Sequence, residues 1–470
     1  VNEKNRRRNF GAHLTPENIF LKFIFPFIKD FLNEYLWVDL FCGEGNLILP
    51  ILNFIPLKER ESFFLNHIFL CDIQTEMIEK ARLKAIQYGI SEENAKKNII
   101  QQDSFLTSKI KSNYPIFHIT NPPYLYKGYI AKYKKQYLFY FNGDNKNCQD
   151  LYQIALKNDL KNNVKKMIYI VPLNFIFGDA GSKKIRKEIF DSFYIQRAFF
   201  FEDKIFEHTG TNVGIFFFER KNNVCAENLK FLSKKIKNGV EIEKEYVLKP
   251  ENNYCAGNNF ENFIKKYKSK IPIKVFFYLT EELVLQENGT EEIKVINANK
   301  FSKKIKNYEK QTIKVTNQLK EKILSNMLFV KPLDTGTEEG RVGLYEIKKE
   351  FDVDGLLTLK PYRTHPIQVF FITPLSYEEQ IYLKKYFNIL LEYFREVDDS
   401  DFLTTFQYSK AKYTRKFLGL KKVKELIQTF PWLELKEDEK EKLKNAIDAN
   451  DAKKILNFLT KVAEGQLPND

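Results

Sequence analysis

Apolar residues are distributed along the first half of the chain in two alternating rhythms. Short unbroken runs, Trp37–Phe41, His67–Cys71, Asn98–Gln101, Ile116–Ile119, Met167–Val171 and Gly214–Phe218, read as buried strands. Between them lie segments whose apolar positions recur every three or four residues. Thr15-Pro16 reads as an N-cap followed by proline at the first helical position. It opens a helix with Phe20, Phe23, Ile24, Phe27, Ile28 and Phe31 on one face. Leu47–Phe54 has the same periodicity, a further helix starts at Thr75 and is closed by Gly89, and another begins at Asp150. Strands separated by crossover helices predict an α/β fold with a doubly wound, Rossmann-like sheet.

After Glu219-Arg220-Lys221-Asn222-Asn223 the rhythm changes. Short strands such as Lys274–Leu279 and Gln368–Ile372 alternate with polar Lys/Asn/Glu stretches, and helices follow. Ser376 and Glu379 form a capping box ahead of a helix with Leu383, Phe387, Leu390, Leu391 and Phe394 in one stripe, a core-facing pattern. Lys421–Thr429 and Glu437–Leu459 read as packed helices with solvated charged faces. Two domains are therefore expected, 1–223 and a second, α+β one at 224–470. A length of 470 residues, too great for a single ordinary core, agrees.

Composition narrows the partners. Lys and Arg total 75 against 61 acidic residues, a net charge of +14 that suits a polyanion; the alternative reading is a composition bias, since Lys, Asn, Ile, Phe and Tyr are all abundant. The cysteines at 42, 71, 148, 225 and 255 have neither C-x-x-C spacing nor histidine neighbours. No metal site or disulfide framework is expected, and a reducing cytoplasm fits. Arg6-Arg7-Arg8 is not followed by a signal-peptide core, and the Ile19–Leu32 stretch is broken by charges and Pro26, so no membrane segment is expected.

Three successive strand ends carry chemistry. Gly43 and Gly45, after the first strand, permit positive φ and close backbone approach to a ligand. Asp72, beside Ile73 at the end of the second, is placed to accept both hydroxyls of a ribose. Asp103, beside Ser104 after the third, can accept from an adenine amine. The fourth strand runs into Asn121-Pro122-Pro123-Tyr124. Two prolines fix φ and contribute no N–H, which leaves a rigid rim of carbonyl acceptors. The Asn121 carboxamide oxygen and the Pro122 carbonyl can converge on one NH₂ group while the Tyr124 ring stacks on the attached heterocycle. Asn-Pro turns and proline-terminated edge strands are common. The upstream ligand site in the same order favours the chemical reading.

On these residues the chain resembles a gamma-class adenine-N6 DNA methyltransferase that uses S-adenosylmethionine. The resemblance covers roughly residues 6 to 220: Gly11-Ala12-His13-Leu14-Thr15-Pro16, the F-x-G-x-G loop within Asp39–Asn46, and the NPPY tetrapeptide. It implies that Thr15 and Asp39 belong to the cosubstrate site, that 1–223 is the catalytic domain and that 224–470 is the target-recognition region. It points to Ile205–Val213, and within it Phe206, as the second wall of the target-base pocket, with His208 a polar alternative. Tyr152 would line the cosubstrate's adenine pocket. Between the motifs, Lys127, Lys132, Lys134 and Lys135 interleave with tyrosines in a segment suited to phosphates or simply to solvent. In the second half, Lys360, Tyr362, Arg363 and His365, and Tyr408, Lys410, Lys412, Tyr413, Arg415 and Lys416, are candidate DNA-facing groups.

The implied function is methyl transfer to N6 of an adenine flipped out of duplex DNA, plausible as the protective half of a restriction-modification system. The expected protein is a prokaryotic, cytoplasmic monomer, with a separate restriction endonuclease as a possible partner. No nuclease is expected in the ten residues ahead of the first motif. Methyltransferases of RNA bases or of protein glutamine use the same tetrapeptide. The motif ahead of the glycine loop and the basic second half favour DNA.

Overall fold

In the computed structural model the described residues are 14–106, 110–178, 181–203, 205–206, 212–237, 239–257, 259–277, 279–302, 307–334, 340–359, 365–396, 403–404 and 416–465. The chain divides into two compact units between Ala256 and Gly257.

The first unit is built on a nine-stranded sheet. Its strands are β1 (Leu36–Asp39), β2 (Ile68–Asp72), β3 (Ile99–Gln101), β4 (Ile116–Thr120), β5 (Lys166–Pro172), β6 (Phe193–Phe201), β7 (Val213–Arg220), β8 (Leu229–Lys237) and β9 (Val240–Leu248). The spatial order is β3-β2-β1-β4-β5-β7-β6-β8-β9. Strands β1 to β5 are parallel, and β7 enters antiparallel between β5 and β6. The order reverses between β1 and β4, so a crevice is expected outside their carboxyl ends.

Unbroken apolar runs form these strands because both sheet faces are covered. On β5, Ile168 and Ile170 enter one core while Met167, Tyr169 and Val171 enter the other. Ile215 and Phe217 alternate in the same way with Phe216 and Phe218 on β7. A period-two pattern that is apolar at every position reads as a continuous run.

Several local expectations are corrected. The first helix is α1 (Glu17–Phe23), after which short 3-10 turns take over at Phe25–Phe27 and Lys29–Glu34. Pro26 lacks the N–H needed to continue and its ring excludes the preceding carbonyl. Pro16 holds the N-cap position, so the Thr15 hydroxyl lies outside the helix. Leu49–Phe54 is likewise a 3-10 segment with Pro50 in its first turn. α2 (Thr75–Gln87) has Gln74 at its N-cap position, without a side-chain capping bond, one residue before the expected Thr75, and Gly89 closes it at φ 94°. The lysine- and tyrosine-rich segment forms helical turns at Lys127–Tyr133 (α3) and Lys135–Phe141. α4 (Leu151–Lys161) starts at Asp150 as expected.

The expected domain boundary at 223/224 falls inside the first sheet. β8 pairs with β6 (Ala198 opposite Ser233) and β9 pairs with β8. Leu229, Phe231 and Tyr246 join the core of Phe200 and Phe216. On β8 buried positions alternate with Lys230, Leu232 and Lys234, whereas on β9 only Tyr246 and Leu248 are buried and the rest carries exposed Glu241, Glu243 and Glu245, so the stretch reads as polar.

The second unit holds two four-stranded sheets. β10 (Val275–Phe277), β17 (Ile367–Phe371), β14 (Leu328–Lys331) and β15 (Gly343–Glu346) form one. β11 (Leu279–Thr280), β16 (Gly355–Thr358), β12 (Glu291–Ser302) and β13 (Asn307–Val315) form the other. The long helix α5 (Tyr377–Glu396) packs its Leu383, Phe387, Leu390, Leu391 and Phe394 stripe into the core of the first of these sheets. Its capping box is formed, with Ser376 N–H on Glu379 Oε2 (2.6 Å) and Glu379 N–H on Ser376 Oγ (3.3 Å). The expected Glu437–Leu459 helix is two, Glu437–Asp448 and Ala452–Glu464, broken where Asn450 adopts φ 51°. Among the described residues no helix is long and apolar enough to cross a membrane.

Candidate active site

The carboxyl ends of β1, β2, β3 and β4 open onto one cavity. After β1 the chain turns through Gly43 (φ 52°) and Gly45 (φ 79°), conformations that β-carbon-bearing residues disfavour. A Cβ on Gly45 would stand 2.5 Å from Leu49 Cδ1. Asp72 braces this turn. Its Oδ2 accepts the Gly43 N–H (3.0 Å) and its Oδ1 accepts the Gln74 N–H (2.9 Å). Burial pushes its carboxyl above the usual range, against those two bonds. Each oxygen retains a second lone pair for a ligand hydroxyl.

Asp39, nearly fully buried, accepts from Thr120 Oγ1 (2.7 Å) and the Phe41 N–H (3.0 Å) through Oδ1. Burial pushes its carboxyl up to about 6, opposed by the bonds from Thr120 and the Phe41 N–H. Asp39 therefore ties β1 to β4. Behind it lies a network the sequence did not reveal. His118 Nε2 accepts the Leu40 N–H (3.3 Å), its Nδ1 meets Asp159 Oδ2 (2.5 Å), and the Tyr169 hydroxyl donates to the same oxygen (2.6 Å). An accepting Nε2 puts the imidazole proton on Nδ1, where it donates to the carboxylate. The backbone leading into the glycine turn is thus held from three elements.

At the end of β4 the Asn121 side chain is held at both ends. Nδ2 donates to Thr15 Oγ1 (3.0 Å), and Oδ1 accepts from the Tyr124 hydroxyl. The Tyr124 hydroxyl also reaches the Ile170 carbonyl at 2.7 Å. The Thr15 carbonyl in turn accepts from Asn46 Nδ2 (2.9 Å), and Lys84 Nζ holds Asn46 Oδ1 (2.7 Å). The segment before α1, the glycine turn and the tetrapeptide are therefore joined by side chains.

On the far side, Asp103 Oδ1 accepts the Phe105 N–H (3.0 Å), and its Oδ2 accepts the Tyr140 hydroxyl (2.5 Å). Ser104 Oγ donates to the Leu40 carbonyl (2.8 Å) and lies 3.0 Å from Cys71 Sγ, so it braces backbone as well as lining the cavity.

The family model described as N-6 DNA methylase matches residues 2–320. The chain belongs to the N-6 DNA methylase family. No curated protein matches it. Among solved structures, the type IIL restriction-modification enzyme MmeI in complex with DNA is similar over 100% of this chain and 78% of its own, at 12% identity and a TM-score of 0.56. That likeness is one of fold. The DrdV–DNA complex matches 54% of this chain and 32% of its own (13% identity, TM-score 0.39). The M protein of the type I restriction enzyme EcoKI matches 50% of each chain (12% identity, TM-score 0.37). The chain thus spans about a third of the first and half of the second.

In this member of the family, Thr15, Asp39, Gly43 and Asp72 line the cavity, as do Ile73, Asp103, Ser104 and Asn121. Gly45, Pro122, Tyr124 and Phe206 are not among the lining residues. Gly45 shapes the turn from behind and Pro122 is buried. Phe206 packs into the apolar core with residues such as Phe199 and Phe201, not onto the cavity. Tyr152 is buried edge-on to Tyr124, its hydroxyl 3.1 Å from Ser182 Oγ. The Gly11–His13 part of the first motif, His208, Lys360, Tyr362, Arg363, and the candidates from Tyr408 to Arg415 lie outside the described residues. His365 Nδ1 lies 3.3 Å from Asn299 Nδ2, and Lys416 belongs to a two-residue strand, Lys416–Phe417. Sequence reasoning missed Tyr137 and Tyr140, both on the cavity wall. Their aromatic run, Tyr137-Leu138-Phe139-Tyr140-Phe141, one residue after Lys134-Lys135, was the available signal.

Proposed function

We propose that this chain transfers a methyl group from S-adenosylmethionine to N6 of an adenine flipped out of duplex DNA. The observation that carries the reading is the Asn121 amide, held at the end of β4 in the cavity that Gly43, Asp72 and Asp103 also line. The residues present fit the cosubstrate. The glycine turn admits a close-lying amino-acid tail, Asp72 keeps lone pairs for ribose hydroxyls, and Asp103 offers a carboxylate to the adenine amine. When bound, the cosubstrate supplies an electrophilic sulfonium methyl.

Adenine N6 is a weak nucleophile because its lone pair is delocalised into the ring. Asn121 Oδ1 and the Pro122 carbonyl accept its protons and draw the nitrogen toward tetrahedral geometry. As the N6–methyl bond forms and the C–S bond breaks, positive charge passes to N6, and these acceptors stabilise it until a proton leaves. In this reading the Tyr124 ring, which lies outside the lining of the cosubstrate cavity, provides a face for the base, and its bond to the Ile170 carbonyl fixes where that ring sits. Flipping costs a few kcal/mol, which stacking and these hydrogen bonds offset. Residues from 257 onward serve target recognition in this reading, and the net charge of +14 supports phosphate contacts. The chain would act as a monomer protecting DNA against a separate restriction endonuclease.

Radiolabelled methyl should appear on adenine N6 of duplex DNA, and Asn121→Ala should abolish its transfer while leaving S-adenosylhomocysteine binding intact. Label confined to RNA or to protein glutamine refutes the assignment.

A further inference from the structure

The segment between the tetrapeptide and α4 forms a closed connector. Tyr126 and Asp150 bridge at its two ends, the Leu125 N–H donates to Asp150 Oδ1 (2.8 Å), and the Lys127 N–H donates to the Gln149 carbonyl (2.8 Å). Its far end folds back over the cavity. There Tyr137 and Tyr140 line the wall, their rings stacked with centroids 6.2 Å apart, and Tyr140 also meets Phe105 at 5.1 Å. Phe105 in turn lies 5.0 Å from Phe41 at the start of the glycine turn. The 2.5 Å bond from the Tyr140 hydroxyl to Asp103 Oδ2 is made by a side chain only 8% exposed. The donor is thus desolvated and its acceptor is the carboxylate to which the cosubstrate's adenine amine is assigned.

We propose that Tyr140 is a built-in stand-in for that amine: its hydroxyl occupies Asp103 when the site is empty and is exchanged for the adenine 6-amino group when the cosubstrate enters. The inference rests on the cosubstrate reading above and adds a residue and an order of events to it. The physical logic is one of satisfaction. Asp103 Oδ1 is already held by the Phe105 N–H, so the Tyr140 hydroxyl and the incoming amine draw on the same oxygen, Oδ2, and a phenol O–H and an aryl N–H are alike in strength and reach. The exchange lowers cosubstrate affinity, because one charge-assisted bond is broken for each one made. It also discriminates. A ligand without a donor at the adenine 6-position leaves Tyr140 in place and gains nothing from Asp103. Because Tyr140 sits on the connector that returns to Leu125 and Asp150, the exchange takes place on the segment that joins the cosubstrate pocket to the base-binding tetrapeptide.

The test is a thermodynamic cycle measured by titration calorimetry. Wild type and Tyr140→Phe are each titrated with S-adenosylhomocysteine and with its 6-deamino analogue, in which hydrogen replaces the adenine amine. Tyr140→Phe keeps the ring on the wall and removes only the competing hydroxyl. It should tighten S-adenosylhomocysteine about tenfold, the order of one charge-assisted hydrogen bond, and change the affinity of the deamino analogue less than about twofold on the same basis. Equal shifts for both ligands, no shift for either, or weaker binding of S-adenosylhomocysteine overturns the exchange. Failure of wild type to bind either ligand refutes the cosubstrate reading itself, a result distinct from the other three.

Discussion

Thr15→Val tests whether the catalytic amide is aimed from outside the tetrapeptide. The substitution preserves shape and removes the one atom, Oγ1, that accepts from Asn121 Nδ2 at 3.0 Å. Both side chains are buried, so the lost bond costs about 1–3 kcal/mol in the orientation that used it. Rotating the amide by half a turn exchanges Oδ1 for Nδ2 and presents a donor to N6 where an acceptor is required. A bias reduced by about 1.4 kcal/mol cuts the ratio of productive to flipped amide about tenfold, and the rate of methyl transfer falls with the productive fraction, about twofold once the two orientations are equally populated. Cosubstrate binding should change far less, because the Thr15 main-chain carbonyl still receives Asn46 Nδ2 (2.9 Å) and the glycine turn stays tied. Single-turnover transfer to DNA and calorimetric binding of S-adenosylhomocysteine separate the two effects, and Thr15→Ser should restore the rate. A dissociation constant raised tenfold with an unchanged single-turnover rate refutes the argument and makes Thr15 a cosubstrate contact alone.

Asp72→Ala strips the acceptors from the Gly43 and Gln74 N–H groups as well as from a ribose, so S-adenosylhomocysteine should bind at least about tenfold more weakly. Wild-type affinity in calorimetry would contradict this. Gly45→Ala places a Cβ at φ 79° and 2.5 Å from Leu49 Cδ1. It should lower stability by roughly 1–2 kcal/mol from conformation alone, and a melting temperature equal to wild type would count against it. Asp150, buried where the connector closes, has its carboxyl pushed up to about 7 from 3.8 by burial, against the Leu125 N–H bond. A raised native value gives stability that is present below pH 3.8 and lost as pH rises through 7, on the order of 4 kcal/mol across that window. Asp150→Asn keeps an acceptor for Leu125 and never ionises. Urea unfolding at pH 5 and pH 8 should therefore show the variant gaining on wild type at the higher pH, and a constant difference would refute the assignment.

The parts of this site that could be read from sequence are those on which the sheet acts directly. A parallel sheet sets consecutive strand ends side by side, so glycine after β1, Asp72 after β2, Asp103 after β3 and Asn121 after β4 converge once the strands are recognised. Each needed only a local period and a residue type. What escaped were contacts between connections. Thr15 and Asn121 are 106 residues apart, Tyr140 and Asp103 are 37 apart, and neither pair carries a local signal. Phe206 was misjudged for a different reason. With 43 phenylalanines in the chain, apolar identity does not separate a core ring from a pocket wall, and burial places this one in the core. The domain boundary failed because β8 hides its alternate burial among lysines and β9, exposed along most of its length, buries only Tyr246 and Leu248. The tetrapeptide itself is the telling case. Its residue types announce an acceptor rim, but the direction in which Asn121 Oδ1 points is set by hydroxyls from Thr15, before the sheet begins, and from Tyr124, anchored on β5 at Ile170. A motif can thus specify the atoms of a reaction while its aim is decided by the fold that surrounds it.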